Sequence, residues 1–165
     1  MQEKRLFMTV PYYSQRLDVK RVFWRPRACG VVALKMAMDY HGRSIVGYKK
    51  KSADVLIDEG VRLGAYYDRF GGWIRDPEVI RILKAQGLGW IHQGLVRLAR
   101  QQGFKKTFRK EWKYTGNHPE TRLRSAQYVV RLLESGAPVL ASIRIGSSGH
   151  LVLLVGVVYD MASRK

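Results

Sequence analysis

Cysteine is nearly absent from the sequence, and its scarcity excludes several classes of protein. Cys29 is the only cysteine in 165 residues, so no intrachain disulfide can form and a disulfide-stapled secreted scaffold is excluded. Long apolar runs are also missing, since the longest one, residues 151–159, is too short to span a bilayer. Residues 1–13 contain no continuous apolar core of a signal peptide. We therefore expect a cytoplasmic protein without a transmembrane segment.

Acidic residues are scarce as well. The chain has 13 Asp and Glu against 30 Lys and Arg, which gives a formal net charge of +17 and attracts polyanions and acidic peptides. Between residues 104 and 114, aromatic side chains recur with basic residues between them. The stretch is either an aromatic stripe packed on the domain with its lysines in water, or a docking surface for a polyanion or an acidic peptide. Its basic residues are Lys105, Lys106, Arg109, Lys110 and Lys113.

Ligand spacings for metals and phosphate-binding glycine loops are also missing from the sequence. Its four histidines are scattered along the chain, and no pair of them has the spacing of a metal site. We therefore expect neither a metal nor another cofactor.

The order of the predicted elements favours a single α+β domain over residues 1–165. With 46% hydrophobic residues, a chain of this length can bury one core. Apolar periodicity and capping residues predict helices over 29–42, 52–59, 76–87, 94–102 and 122–134. Residues 16–27 read as an irregular loop, 138–145 as an alternating strand and 150–159 as a buried strand. Because helices come first and strands last, an α+β arrangement is favoured over a doubly wound sheet.

The single cysteine opens an apolar segment that reads ACGVVALKMAMDYHG, residues 28–42. Lys35 and Asp39 are its only charged residues, so we predict a helix that is buried around most of its circumference. At a helix start, unpaired N–H groups and the macrodipole favour a thiolate, and the thiolate is the nucleophile in acyl transfer. Free cysteine is also a common core residue. On this segment alone, Cys29 is equally well interpreted as a nucleophile or as a core residue.

His150 directly follows Gly149 at the start of the last predicted strand. A side chain at this position can stand at the edge of a sheet, where a general base is accessible. We interpret His41, His92 and His118 as surface or capping histidines. A cysteine and a histidine form a catalytic pair only if the fold brings them together.

Five motifs, in order along the chain, resemble the papain-like cysteine peptidases related to the bacteriocin-processing, double-glycine leader peptidases. They are PYYSQ at 11–15, RACG followed by the apolar helix, GW-I-H with the helix after it, ESGAPVLASI at 134–143 and GHLVLLVGVVYD at 149–160. The resemblance implies a papain-like α+β fold. In that fold a helical N-terminal half, with its buried cysteine helix, packs on a C-terminal antiparallel sheet.

The resemblance also implies roles for three residues of a cysteine peptidase acting on a peptide or protein. Cys29 is expected to be the nucleophile, and His150 the base that accepts its proton and later protonates the leaving amine. Gln15 is expected to donate a side-chain N–H to the oxyanion hole, together with the backbone N–H of Cys29.

The fourth role is where the sequence departs from the family pattern. In the family, an Asp or Asn from the strand after the Gly-His strand orients the histidine, and we expect that strand to be missing here. Asp160 is the only acidic residue after His150 and is therefore the acidic candidate for this role. The pattern predicts it in a turn beyond the far end of the strand, about 30 Å from the imidazole at roughly 3.3 Å per residue. The alternative function is therefore a weak or inactive peptidase-like protein that binds an acidic peptide, nucleic acid or an anionic surface through its basic surface.

Overall fold

The computed structural model describes residues 3–67, 89–112, 119–145 and 148–160. Its helices are α1 (Cys29–Gly42), α2 (Ala53–Arg62), α3 (His92–Gln101) and α4 (Pro119–Glu134), with a 3₁₀ helix at Val22–Arg27. Its strands are β1 (Glu3–Phe7), β2 (Tyr66–Tyr67), β3 (Gly89–Trp90), β4 (Val139–Ile145), β5 (Ser148–Leu154) and β6 (Gly156–Asp160). This mixture of helices and strands confirms the predicted α+β class. The helix predicted over 76–87 lies outside the described residues.

The described strands form three antiparallel pairs, which join β1 to β6, β2 to β3, and β4 to β5. In the β4–β5 hairpin, Ile143 lies opposite His150. The prediction of one strand over 150–159 is wrong, because the ladder is interrupted at Val155 and β6 pairs with β1. The change of partner occurs at Gly156, where a Cβ would lie 2.5 Å from the carbonyl oxygen of Leu6. A glycine therefore allows β1 to approach closely at the start of β6.

The β4–β5 hairpin is more exposed than the sequence pattern predicted. Residues 139–141 of β4 are half-buried, whereas Ile143 and Ile145 are 39% and 58% exposed. In β5 and β6, Leu151 is buried and the residues from Val152 to Val157 are half-buried. Burial therefore decreases from the first three residues of β4 to the last four, and the alternating sequence pattern does not produce an alternating pattern of burial.

Helix α1 forms the centre of the core and packs against α2, α3, β4 and β5. Its predicted burial is confirmed, since the residues of α1 that are not buried are Cys29, Met36, Tyr40 and His41. Both charged residues lie inside, and the Lys35 Nζ is 2.6 Å from the Asp39 Oδ2. A buried charge is tolerated when it is paired and hydrogen-bonded, so this ion pair allows the whole helix to lie in the core.

Trp90 on β3 fixes the residues that lead into α1. Its indole Nε1–H donates a hydrogen bond of 2.7 Å to the carbonyl oxygen of Arg27. Its ring packs against Trp24 and Tyr66, with centroids 6.1 and 5.1 Å apart. Since a buried indole N–H needs an acceptor, the bond to Arg27 both satisfies Trp90 and gives the start of α1 a defined position.

The segment before α1 contains the 3₁₀ helix and is not the wholly irregular loop that the sequence predicted. The Arg21 guanidinium donates to the Asp54 Oδ1 at 3.0 Å and to the Asp58 Oδ1 at 2.7 Å. Burial alone would raise the pKa of Asp54, but hydrogen bonds from Lys20 and Arg21 outweigh it and lower that pKa. These bonds attach the segment to α2, which lies beside α1.

Gly94 marks a close contact between α3 and the residue before β2. A Cβ at this position would lie 2.4 Å from the Cα and 2.5 Å from the Cβ of Ala65. We expect Gly94→Ala to lower the free energy of unfolding by about 1–3 kcal/mol, despite the higher helix propensity of alanine, because the backbone at Ala65 must move. Urea unfolding measures this loss. Gln93→Ala, at an exposed position of the same helix, is the control, and equal stability of the two variants would contradict the close contact.

Candidate active site

A pocket of about 340 Å³ lies where residues 12–16, the first two turns of α1 and strand β5 meet. Gln15, Cys29 and His150 all line it. The three residues that the sequence selected from distant parts of the chain therefore share one cavity. The other lining residues are Tyr12, Tyr13, Ser14, Arg16, Val32, Ala33, Met36, Leu151, Val152 and Leu153.

Cys29 and His150 face this pocket because their chain neighbours touch. Gly30 of α1 packs against Leu151 of β5, and a Cβ on Gly30 would lie 2.8 Å from the Leu151 Cδ1. Trp90 closes the other side, 3.0 Å from the same Cβ position. A side chain at residue 30 would push the helix away from the strand. Glycine at this position therefore brings the start of α1 close to the strand that carries His150.

Cys29 is the first residue of α1 and is half-buried. Ala28, at the N-cap, supplies no side-chain hydrogen bond to the first turn. The first N–H groups of a helix have no acceptor within the helix, and their positive end favours negative charge. This geometry can stabilise both a thiolate and an oxyanion formed beside it.

Gln15 lies in a turn that its neighbours hold together. The backbone N–H of Ser14 donates to the Asp18 Oδ2 at 2.7 Å, and the N–H groups of Leu17 and Asp18 donate to the Ser14 carbonyl oxygen. A turn closed at both ends loses little further freedom when it binds a ligand. The half-buried Gln15 is therefore presented to the pocket from a constrained backbone.

Asp39 is the acceptor of a buried hydrogen-bond network that reaches the pocket through Tyr13. Its side chain is fully buried and accepts from the Lys35 Nζ at 2.6 Å, the Tyr13 Oη at 2.8 Å and the Tyr48 Oη at 2.5 Å. Burial alone would raise the pKa of Asp39, but the hydrogen bonds from Lys35, Tyr48 and Tyr13 hold it below its usual value of 3.8. Burial, together with the bond to Asp39, raises the pKa of Tyr13 to about 12.

This network was not predicted from the sequence. The signal was present, because Lys35 and Asp39 stand four residues apart in an otherwise apolar helix, a spacing at which side chains meet. The tyrosine partners gave no comparable signal, since they come from outside the helix. Their positions depend on how the flanking segments fold back on α1.

The position predicted for Asp160 is corrected by the structure. Asp160 is the last residue of β6, with its backbone opposite Glu3, and does not lie in a turn beyond the strand. Its side chain lies outside the described part of the chain, so its role as a partner of His150 stays a prediction. Among the described residues that line the pocket, none is a carboxylate or an asparagine.

The basic stretch has neither a helix nor a continuous aromatic stripe in its described part. Residues 104–112 contain turns and irregular backbone, and Phe108 is 52% exposed. Phe104 packs on Tyr48, whereas Trp112 packs on Tyr128. The described basic residues of the stretch are exposed, and they are Lys105, Lys106, Arg109 and Lys110. Lys113 lies outside the described ranges, and binding of a polyanion stays a prediction.

Two of the histidines interpreted as surface or capping residues are half-buried and lie at helix ends, His41 in the last turn of α1 and His92 at the start of α3. His41 and His92 line a second, larger cavity of about 1670 Å³ between α1, α3, α4 and β4. Burial lowers the pKa of both imidazoles, and the nearby Arg109 lowers that of His92 further. His118 is not among the described residues.

No group of three or more His, Cys, Asp and Glu side chains in the described ranges is arranged to hold a metal ion. None of the helices within those ranges has both the length and the apolarity that a bilayer span requires.

Comparison with known proteins yields one family. The family model described as the Peptidase_C39 like family matches residues 7–164, a range that includes the described pocket-lining residues. No curated protein and no solved structure shows a significant match.

Proposed function

Because the chain belongs to the Peptidase C39-like family, we propose that it is a cysteine peptidase of papain-like fold that hydrolyses peptide bonds. The observation that carries this proposal is the shared pocket of Gln15, Cys29 and His150. Family membership supports the class of reaction, and the pocket supports the choice of residues. We further propose that residues 1–165 form one domain.

In the proposed mechanism, His150 accepts the proton of the Cys29 thiol, and the thiolate attacks the carbonyl carbon of the scissile bond. The resulting oxyanion accepts hydrogen bonds from the Gln15 side-chain N–H and the Cys29 backbone N–H. His150 then protonates the leaving amine as the C–N bond breaks, which leaves an acyl-enzyme on Cys29. Water, deprotonated by His150, hydrolyses the thioester and restores the thiol.

Alkylation by iodoacetamide tests the Cys29–His150 pair. Because Cys29 is the only thiol in the chain, one mass increase in the intact protein reports on this residue alone. We expect His150→Ala to slow alkylation about ten-fold or more at pH 6, since few unassisted thiols are ionised at that pH. His41→Ala, at the far end of α1, is the matched histidine control.

Equal alkylation rates in the wild type and His150→Ala from pH 5 to 8 would contradict the pair. Such a result would favour the alternative function, a peptidase-like binding protein without catalysis. Salt-dependent binding of an acidic peptide that is unchanged in Cys29→Ala would then support that alternative.

A further inference from the structure

The turn that carries Gln15 is attached to α1 by one hydrogen bond. Across the described ranges, the bond from the Tyr13 Oη to the Asp39 Oδ2, 2.8 Å long, is the only one that joins residues 11–18 to α1. Tyr13 is two residues before Gln15 and itself lines the pocket. The position of Gln15 relative to Cys29 therefore depends on a contact that lies outside the proposed chemistry.

We propose that Asp39 is a positioning residue for the oxyanion hole. Asp39 holds the Gln15 turn against α1 by accepting a hydrogen bond from the Tyr13 hydroxyl. The inference rests on the proposed function, because it assigns the oxyanion hole to Gln15 and the Cys29 backbone N–H. It adds that both donors are aligned by the same helix.

The geometry of α1 supports this alignment. Cys29 and Asp39 belong to one uninterrupted helix, which behaves as a rigid rod with a rise of about 1.5 Å per residue. The Cys29 donor is fixed at one end of the rod, and Tyr13 is fixed through Asp39 further along it. A displacement of about 1 Å in a catalytic group costs on the order of 10²-fold in rate, so the Tyr13 anchor is expected to affect turnover.

Lys35 restrains the ring of Tyr13 as well as the carboxylate that Tyr13 contacts. Its Nζ donates to the Asp39 Oδ2 and lies 4.2 Å from the centroid of the Tyr13 ring. A cation over an aromatic face in a buried site is attractive. The Tyr13 side chain is therefore held at its hydroxyl and at its ring, which leaves its backbone little freedom to shift the Gln15 turn.

Tyr48 provides a matched control within the same network. Its hydroxyl donates to the other oxygen of Asp39, the Oδ1, at 2.5 Å. Tyr48 packs against Phe104 and is not among the described residues that line the pocket. Tyr13→Phe and Tyr48→Phe each remove one hydroxyl from Asp39, but only Tyr13→Phe releases the Gln15 turn.

The experiment compares these two variants with the wild type. The probe is a p-nitrophenyl ester of an N-acetylated glycylglycine, because its acyl transfer passes through a tetrahedral intermediate that needs the oxyanion hole. We expect Tyr13→Phe to lower kcat about 10- to 100-fold with KM within about two-fold, and Tyr48→Phe to leave kcat within about three-fold. Both variants should alkylate Cys29 with iodoacetamide at the wild-type rate, since alkylation forms no oxyanion. Urea unfolding of both variants shows whether they lose stability equally.

Three outcomes would overturn the inference. Equal kcat losses in the two variants would mean that the network acts through stability alone. A rise in KM with unchanged kcat would mean that Tyr13 contacts the substrate instead. A full additional loss from Tyr13→Phe in a Gln15→Ala background would mean that Tyr13 acts independently of Gln15.

Failure of the proposed function gives a different result. If Gln15→Ala leaves kcat unchanged while Cys29→Ala abolishes turnover, the oxyanion role of Gln15 is wrong. If Gln15→Ala lowers kcat and Tyr13→Phe does not, only the role of Asp39 is wrong.

Discussion

Replacement of Cys29 by alanine is expected to lower the hydrolysis of a peptide or an activated ester by about 10⁴-fold or more, as for other enzymes that lose their nucleophile. No other thiol can take over the reaction, because Cys29 is the only cysteine in the chain. The change should leave the fold intact, since the Cys29 side chain is half-buried at the wall of an open pocket. Rates with the probe ester and urea unfolding measure the two quantities.

Met36→Ala is the matched control for Cys29→Ala. Met36 lines the same pocket from the same helix and is also half-buried, but it has no group that can act as a nucleophile. We expect its activity to stay within about ten-fold of the wild type, since an altered apolar wall changes binding by only about 1–3 kcal/mol. Similar losses in both variants would show that the pocket shape, and not the thiol, determines the rate.

Replacement of Asp39 by asparagine is expected to lower the free energy of unfolding by about 3–5 kcal/mol at pH 7. The Asp39 carboxylate is fully buried and pairs with a Lys35 ammonium that is 8% exposed. Removing one partner leaves the other charge buried without compensation, and that loss has the stated size. Chemical unfolding in urea measures it.

The double variant Lys35→Met with Asp39→Leu distinguishes the charge from the packing. Apolar residues in place of both partners of a buried ion pair are often neutral or stabilising, so the double variant should recover most of the loss. The part that is not recovered reflects the Tyr13 and Tyr48 hydroxyls, which lose their acceptor. A double variant as unstable as Asp39→Asn would contradict the uncompensated charge as the cause.

The same carboxylate predicts the direction of acid unfolding. The pKa of Asp39 in the folded protein lies below its usual value of 3.8, so the unfolded state binds the proton more tightly. The stability that Asp39 contributes is therefore fully present above about pH 3.8 and is lost as the pH falls through the lower folded pKa. The stabilities of the wild type and Asp39→Asn should accordingly converge as the pH falls below about 3.8.

Much of the fold was predictable where one local signal dominated. Helix α1 has too few polar residues to lie at a surface, and Ser52 caps α2 with a hydrogen bond from the Val55 N–H to its Oγ. Strand pairing was not predictable in the same way. The partner of β6 is β1, a short strand whose sequence alternates only weakly. Their pairing depends on a close approach of the two backbones at Gly156, which no periodic pattern in the sequence indicates.

The candidate site shows the same difference between residues with a local sequence signal and residues whose contacts depend on the folded chain. Cys29 and His150 belong to motifs in which a glycine stands beside the candidate residue, and the resemblance of these motifs to a peptidase family selected them where the local pattern left Cys29 undecided. Asp39 and Tyr13 meet only after α1 and the preceding segment have packed together. The partner of His150 was not predictable for the same reason, because it depends on where the chain leads after β5.

The pairing of β1 with β6 has a consequence for how the protein folds during synthesis. Glu3 pairs with Asp160, so the ladder closes a loop that contains nearly all of the described residues. Contacts between such distant parts of a chain form slowly, because the entropy of loop closure is lost before they are made. The ribosome releases Cys29 long before β5 and β6, and Cys29 therefore meets His150 only after these two strands have been synthesised. The proposed peptidase therefore lacks its base while it is being synthesised, which protects other nascent chains from cleavage.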